Sequence, residues 1–298
     1  MNPSRLPTEQ HRRDLLDLDL RPTAEQVGLM VSDQQEAVAA VRQAAPAVAA
    51  AVDAIVARLA GGDGRMIYVG AGTAGRLGVL DASEVPPTFD SDRVIAVMAG
   101  GDTALNEARE AAEDDAAAAR RDLDERGVGP ADVVVGVAAS GRTPYTLSAV
   151  AAARERGALT VGVSCNPRAA LSDHVDHAIE VATGPELMAG STRLKAGTAQ
   201  KIVLNTLSTL VMVQLGKTFG NLMVNVRSTN EKLRHRAHRM VVDATGVGAA
   251  EAQEALDAAA GAPKVAIVAL LSRVDPAEAE RRLAAADGRI REALEAAP

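Results

Sequence analysis

Carboxylates and three glycine-rich loops that carry hydroxyls are the parts of this sequence best suited to chemistry. Glu84 lies in DASEVPP, just after the first glycine-rich unit, and Glu107, Glu110 and Glu113 recur in NEAREAAEDDAAA. A spacing of three would set the latter side chains about 60° apart on one face of a helix. Two carboxyls at one site can divide acid and base work, one ionised and the other kept protonated by its surroundings. The competing reading of any one Glu in an acidic chain is a solvated helix face.

The first loop lies within MIYVGAGTAGRLGVLDASEVPP, in which Gly70, Gly72 and Gly75 stand between an apolar run and a helix. Glycines let a backbone approach a ligand, and the free N–H groups of a helix start favour an anion such as phosphate. The same spacing matches a dinucleotide fingerprint. That reading wants an acidic residue closing the next strand, whereas VIAVMAGG ends in glycines and Asp102 comes only afterwards. The second loop, VAASGRTPYTL, offers Ser140 and Thr143 around Gly141, just before a helix with Pro144 near its start. These hydroxyls could bind phosphate or cap the helix, since both tasks use one geometry. The third, GSTRLKAGTAQK, sets Ser191, Thr192 and Thr198 beside Arg193 and Lys195. Its charges suit a phosphate or a carboxylate, or else a surface salt bridge.

Such loops must hang on strand ends, and the pattern supplies them. MIYV, VIAVMA at 94–99, VVVGVA at 133–138 and LTVGVS at 159–164 are short apolar runs at roughly 30-residue spacing with helical stretches between them. This predicts an α/β fold, a doubly wound parallel sheet with right-handed crossovers. AIEVA at 178–182 is a further strand, and Lys195 to Leu215 a buried helix. Residues 1–23, with Pro3, Pro7 and Pro22, read as an extended arm outside the core, and 24–60 as two helices ending at Gly61-Gly62. Short Ala-rich helices are predicted near 228–244, 249–259, 263–272, 276–285 and 288–296. The division is an arm and helices over 1–55, an α/β domain carrying the phosphate-suited loops over 56–225 and an all-helical region over 226–298.

The chain has 298 residues and 47% hydrophobic side chains, ample for a core, but no Trp, two Tyr and two Phe. A formal charge of −7 and the lack of aromatic platforms argue against nucleic acid as a partner. The basic run KLRHRAHR at 232–239 suits a solvated helix face. The single cysteine, Cys165, sits in an apolar run and reads as a buried thiol, which excludes an internal disulfide framework. His174 and His177 flank Asp176 without further ligand-like neighbours, so a polar loop is preferred to a metal site. The N-terminus has no uninterrupted apolar stretch, and the protein is expected in the cytoplasm, away from membranes.

IYVGAGTAGRLGVLDASEVPPTF, EAAEDDA, VVVGVAASGRTPY, TVGVSCNP, STRLKAGTAQKIVLNTLST and GKTFGNLMVNV, in this order, resemble the signature segments of N-acetylmuramic acid 6-phosphate etherases. The resemblance runs from about Gly61 to the C-terminus and implies a sugar-isomerase (SIS) fold. It also implies a lyase that cleaves the D-lactyl ether to give N-acetylglucosamine 6-phosphate and D-lactate in cell-wall recycling. Ring opening exposes an aldehyde that acidifies the C2 proton, a carboxylate removes it, the C3 ether oxygen leaves protonated, and water adds back. The family's catalytic glutamates fall on Glu84 and Glu113, with proton donation assigned to the Glu84 position. Gly72, Thr73, Gly75 and Ser83 from the first unit, Ser140, Gly141 and Thr143 from the second loop, and Ser191 and Lys195 from the third form the expected substrate-binding set. No metal and no cofactor are implied, and a homodimer is expected. The chain departs from the family with Ala74 for a usual Ser, removing a hydroxyl that Thr73 could replace, and with Val85 for a usual Cys. A phosphosugar isomerase and a non-catalytic sugar-phosphate sensor share the fold and remain the alternatives.

Overall fold

The computed structural model describes residues 6–107, 109–225 and 231–295. Two compact units emerge, one of Met1–Ser83 with Arg93–Ser208 and one of Glu84–Asp92 with Thr209–Pro298. The first holds a five-stranded parallel sheet of order β2-β1-β3-β4-β5, with β1 Met66–Gly70, β2 Val94–Met98, β3 Val133–Val137, β4 Leu159–Ser164 and β5 His177–Glu180. Strands β1 and β3 are buried along their whole length, as expected of a parallel sheet covered on both faces. One face packs Ile67, Val69 and Val134 against α4 (Ala116–Glu125) and α5 (Pro144–Glu155). Toward the other, the Tyr68 hydroxyl lies 2.8 Å from Asp81 Oδ2 and 3.1 Å from the Leu204 carbonyl. That joins β1 to α2 (Gly72–Phe89) and α6 (Lys195–Gln214).

Where two helices were expected over 24–60, one helix of 37 residues, α1 (Thr23–Leu59), runs through Pro46. Its inward positions, Ala37, Ala40, Ala44, Val48, Ala51, Val52, Ile55 and Leu59, continue on both sides of the proline. A proline deletes one backbone hydrogen bond, but a continuous buried face against β3, β4 and β5 holds the axis together. α1 is long and apolar enough by composition to cross a membrane; here that apolar face is a core face.

The arm also differs from expectation. Residues 6–20 form three short 3-10 turns, Pro7–Glu9, Arg13–Leu15 and Leu18–Leu20, and Leu6, Thr8 and Leu15 are buried. Pro7 opens the first of these turns and Pro22 stands at the N-cap of α1. After β2, the predicted run of helix is broken into α3 (Thr103–Asn106), a 3-10 turn at Glu110–Asp114, and α4. Asp115 starts α4 afresh because its Oδ1 accepts the Ala118 N–H at 2.8 Å.

The second unit is helical, with α7 (Glu231–Thr245), α8 (Ala249–Ala258), α9 (Pro263–Ser272), α10 (Pro276–Ala285) and α11 (Ile290–Glu295) around Val241, Ala252, Ile267 and Val268. The expected helix start at 228–230 and the end at 296 lie outside the described residues. In α7, Arg234, His235 and Arg239 face solvent while Ala237 and Met240 are buried. On α9, the Lys264 ammonium donates to the Gly216 and Gly288 carbonyls at 2.9 and 2.6 Å. Burial, reinforced by Lys217, brings its pKa from 10.5 down to about 8. The unfolded chain therefore binds this proton more tightly, and the stability of the helical unit should rise with pH between about 8 and 10.5. Lys264→Met should flatten that slope, measured as urea midpoints across the same pH range.

Candidate functional site

The order β2-β1-β3-β4-β5 reverses direction between β1 and β3, and loops leaving the two strands part there, opening a crevice at the carboxyl ends. A cavity of about 340 Å³ occupies that position, lined by Gly72, Thr73 and Ala74 after β1, Ser140 and Thr143 after β3, and Thr192 before α6. Glu113 lines it too, and also a neighbouring cavity of about 190 Å³ that shares Gly72 and Thr73 and adds Arg76, Arg109 and Glu110. Glu110 and Glu113 fall on one side because a 3-10 turn repeats every three residues. Glu113 is exposed at the cavity's edge, where partial desolvation first, then the neighbouring Asp114 and Glu110, raises its carboxyl above the ordinary value.

The hydroxyls of the second loop are placed by the backbone. Gly141 has φ +64°, and a Cβ there would lie 2.4 Å from the Ala169 Cβ, so only glycine fits between Ser140 and the following turn. Thr143 stands at the N-cap of α5 but makes no side-chain cap bond, which leaves its hydroxyl to the cavity. The Ser140 Oγ accepts the Arg142 N–H at 3.2 Å. Ser140→Ala should raise KM several-fold with a smaller effect on kcat, as for loss of one hydroxyl worth about 1 kcal/mol. Steady-state kinetics check this, and an unaltered KM would remove Ser140 from the binding set.

The third loop is arranged otherwise. Fully buried Glu186 turns both carboxylate oxygens onto the first amides of α6, accepting Lys195 N–H and Ala196 N–H at 2.9 Å each. A resident carboxylate thus occupies the place where a phosphate would dock. The Lys195 side chain is fully buried and points to α1, with Nζ 3.0 Å from Asp33 Oδ1 and bonded to Glu36. Arg12 of the arm reaches the same Asp33 oxygen at 2.8 Å. Ser191 and Lys195 are not among the cavity's lining residues, whereas Thr192 is.

Ser83 lies apart as well. Its hydroxyl donates to the Leu80 carbonyl at 2.8 Å, and it borders a different cavity beside Asp102 and Asp122. Gly75 is buried in the first turn of α2, its N–H donating to the Ala71 carbonyl at 3.1 Å. Glu84 is an exposed residue of α2, twelve positions beyond Gly72, and belongs to the second compact unit. Cys165 is buried, and its thiol is pushed up to about 12 by burial and by Glu186. His174 Nδ1 sits 2.8 Å from the Ala170 carbonyl in a 3-10 turn, and His177 opens β5.

Residues 47–154 match the family described as "Glucokinase regulatory protein N-terminal SIS domain", and residues 115–210 match the SIS domain family. Over 291 residues the sequence is 60% identical to the N-acetylmuramic acid 6-phosphate etherase of Rubrobacter xylanophilus, an alignment covering 97% of this chain and 96% of that one. The chain belongs to the N-acetylmuramic acid 6-phosphate etherase family. An etherase of the same name from Geobacillus thermodenitrificans is 49% identical over 97% of this chain and 99% of its own. Among solved structures, a phosphoheptose isomerase from Francisella tularensis is similar with a TM-score of 0.49 and 18% identity, over 64% of this chain and 98% of that one.

For an etherase, two residues of the cavity escaped the motif reading. Glu9, from the arm, and Gln200, from α6, both line it. Gln200 is 1% exposed, and its Nε2 has no hydrogen-bond partner among the described residues. Its trace in the sequence is a polar residue beside Ala199, Val203 and Leu204, buried apolar positions of the same helix.

Proposed function

We propose that the chain is a lyase that cleaves the D-lactyl ether of N-acetylmuramic acid 6-phosphate to N-acetylglucosamine 6-phosphate and D-lactate, by elimination and rehydration, in cell-wall sugar recycling. The observation that carries this reading is Glu113, a carboxyl with raised proton affinity in the same cavity as the hydroxyls of Thr73, Ser140 and Thr143 at the sheet's switch point. Such a cavity supplies hydroxyls and helix-start amides for a phosphate and a carboxyl able to exchange protons beside it. The role of Glu84 rests on the family pattern in DASEVPP. The chain's own groups carry the proton transfers of this scheme. Its partner is a small phosphosugar, and neither nucleic acid nor a membrane belongs to the reading. We place it in the cytoplasm as a homodimer.

Incubation with N-acetylmuramic acid 6-phosphate and enzymatic assay of D-lactate tests this directly. Stoichiometric lactate supports the lyase. Interconversion of sugar phosphates without lactate would mark an isomerase, and binding without turnover a sensor.

A further inference from the structure

The stretch that presents Glu113 has little of its own to hold it still. Glu107, Arg109, Glu110, Glu113 and Asp114 are all exposed. Its backbone bonds are local: the Glu107 N–H donates to the Thr103 carbonyl at 3.2 Å and the Ala112 N–H to the Arg109 carbonyl at 3.0 Å. A surface stretch bonded only to itself opens at small cost, whereas a proton carrier must stay within hydrogen-bond reach of one atom. Ala112 supplies one anchor, packing against the apolar core shared by β1, β3 and α5.

A second anchor comes from α2. Half-buried Arg76, four residues after Gly72, donates its Nε to the Leu105 carbonyl at 3.0 Å and its Nη2 to the Glu107 carbonyl at 3.1 Å. Leu105 is in the last turn of α3 and Glu107 is its C-cap, so these are carbonyls that a helix end leaves without intrahelical donors. A guanidinium is planar and rigid, and one fork therefore fixes two points of the chain at once. Arg76 and Glu113 line the same 190 Å³ cavity as Gly72 and Thr73. Arg76 is not among the residues lining the larger cavity that holds Ser140 and Thr143.

We propose that Arg76 is a positioning residue for the ether cleavage. Its fork ties the stretch leading into Glu113 to the helix whose first turn carries Gly72 and Thr73. It thereby sets the distance between the anion-binding helix start and the carboxyl that exchanges protons. This rests on Glu113 as a proton carrier in the lyase reading.

D-lactate release by Arg76→Lys and Arg76→Met, measured on the full chain, tests it. Lysine keeps the charge and loses the fork. We expect kcat to fall about 10-fold in Arg76→Lys and about 100-fold in Arg76→Met, with KM within about twofold of the wild type, as for a reacting group displaced by about an ångström. Because Arg76 acts through Glu113, adding Arg76→Lys to Glu113→Gln should cost less than about twofold beyond Glu113→Gln alone. Calorimetric titration with inorganic phosphate should give Arg76→Lys the wild-type affinity. Backbone hydrogen exchange at Glu107 and Ala112 should quicken at least several-fold in both variants, while β1 and β3 keep their wild-type rates. Arg76→Lys carries the test alone should Arg76→Met not fold. Unchanged kcat, unchanged exchange, or full additivity with Glu113→Gln would overturn the assignment. A loss of phosphate affinity in Arg76→Lys would overturn it too, making Arg76 a phosphate ligand. The lyase reading fails separately, if the wild type releases no D-lactate; exchange at Glu107 and Ala112 then still decides whether Arg76 holds this stretch.

Discussion

Glu84→Gln should lower D-lactate release by roughly 10²–10⁴-fold, the usual worth of a positioned acid or base. Glu84 is an exposed residue of α2, and its backbone carbonyl accepts from the Thr88 hydroxyl. An isosteric amide there should leave the melting temperature unchanged, so the loss can be read as chemistry. Titration with inorganic phosphate should be unaffected as well. Unchanged turnover would refute the role assigned to Glu84. Glu113→Gln gives a distinct signature. Because the Glu113 carboxyl is held above its ordinary range, its limb of the pH profile should lie above that range and disappear in the variant. A base role makes the rate fall as pH drops through that limb, and an acid role makes it fall as pH rises through it.

Lys195→Met should cost about 3–5 kcal/mol of stability, the penalty for stranding one side of a buried ion pair. Lys195 and Asp33 have side-chain exposures of 0% and 1%, and Asp33 Oδ2 already lacks a partner among the described residues. Arg12 remains beside Asp33 and favours the lower end of that range. Urea unfolding at neutral pH measures the loss. Where the variant stays folded, its KM should be close to that of the wild type, because the ammonium faces α1 rather than the cavity. A loss below about 1 kcal/mol, the scale of an exposed pair, would show that the pair is not buried in solution.

Strands were legible because a sheet covered on both faces demands unbroken apolar runs, and VVVGV is buried at every position. The helix starts after β1 and β3 were legible through Gly72, Ser140 and Gly141, whose types answer to local backbone geometry. What escaped depends on partners distant in sequence. Thr8 is polar and near the terminus, and only Asn166, 158 residues away, makes it a buried clamp. Lys195 reads as a phosphate ligand until α1 brings Asp33 and Glu36 to it, and no local rule foretells that Glu186 will sit on the amides of α6. Pro46 inside α1 is the converse case, since the local rule that proline breaks a helix yields to a packed face. The 3-10 turn at Glu110–Asp114 lies between: its acidic spacing was visible, its geometry was not.

The clamp at Thr8 also bears on how the protein is handled. Trimming everything ahead of α1, as one would trim an apparently dispensable tail, would delete Glu9 from the cavity lining and the Arg12 guanidinium from beside Asp33. A purification tag or fusion partner belongs at the other end of the chain, and an inactive N-terminally shortened preparation would say little about the enzyme itself.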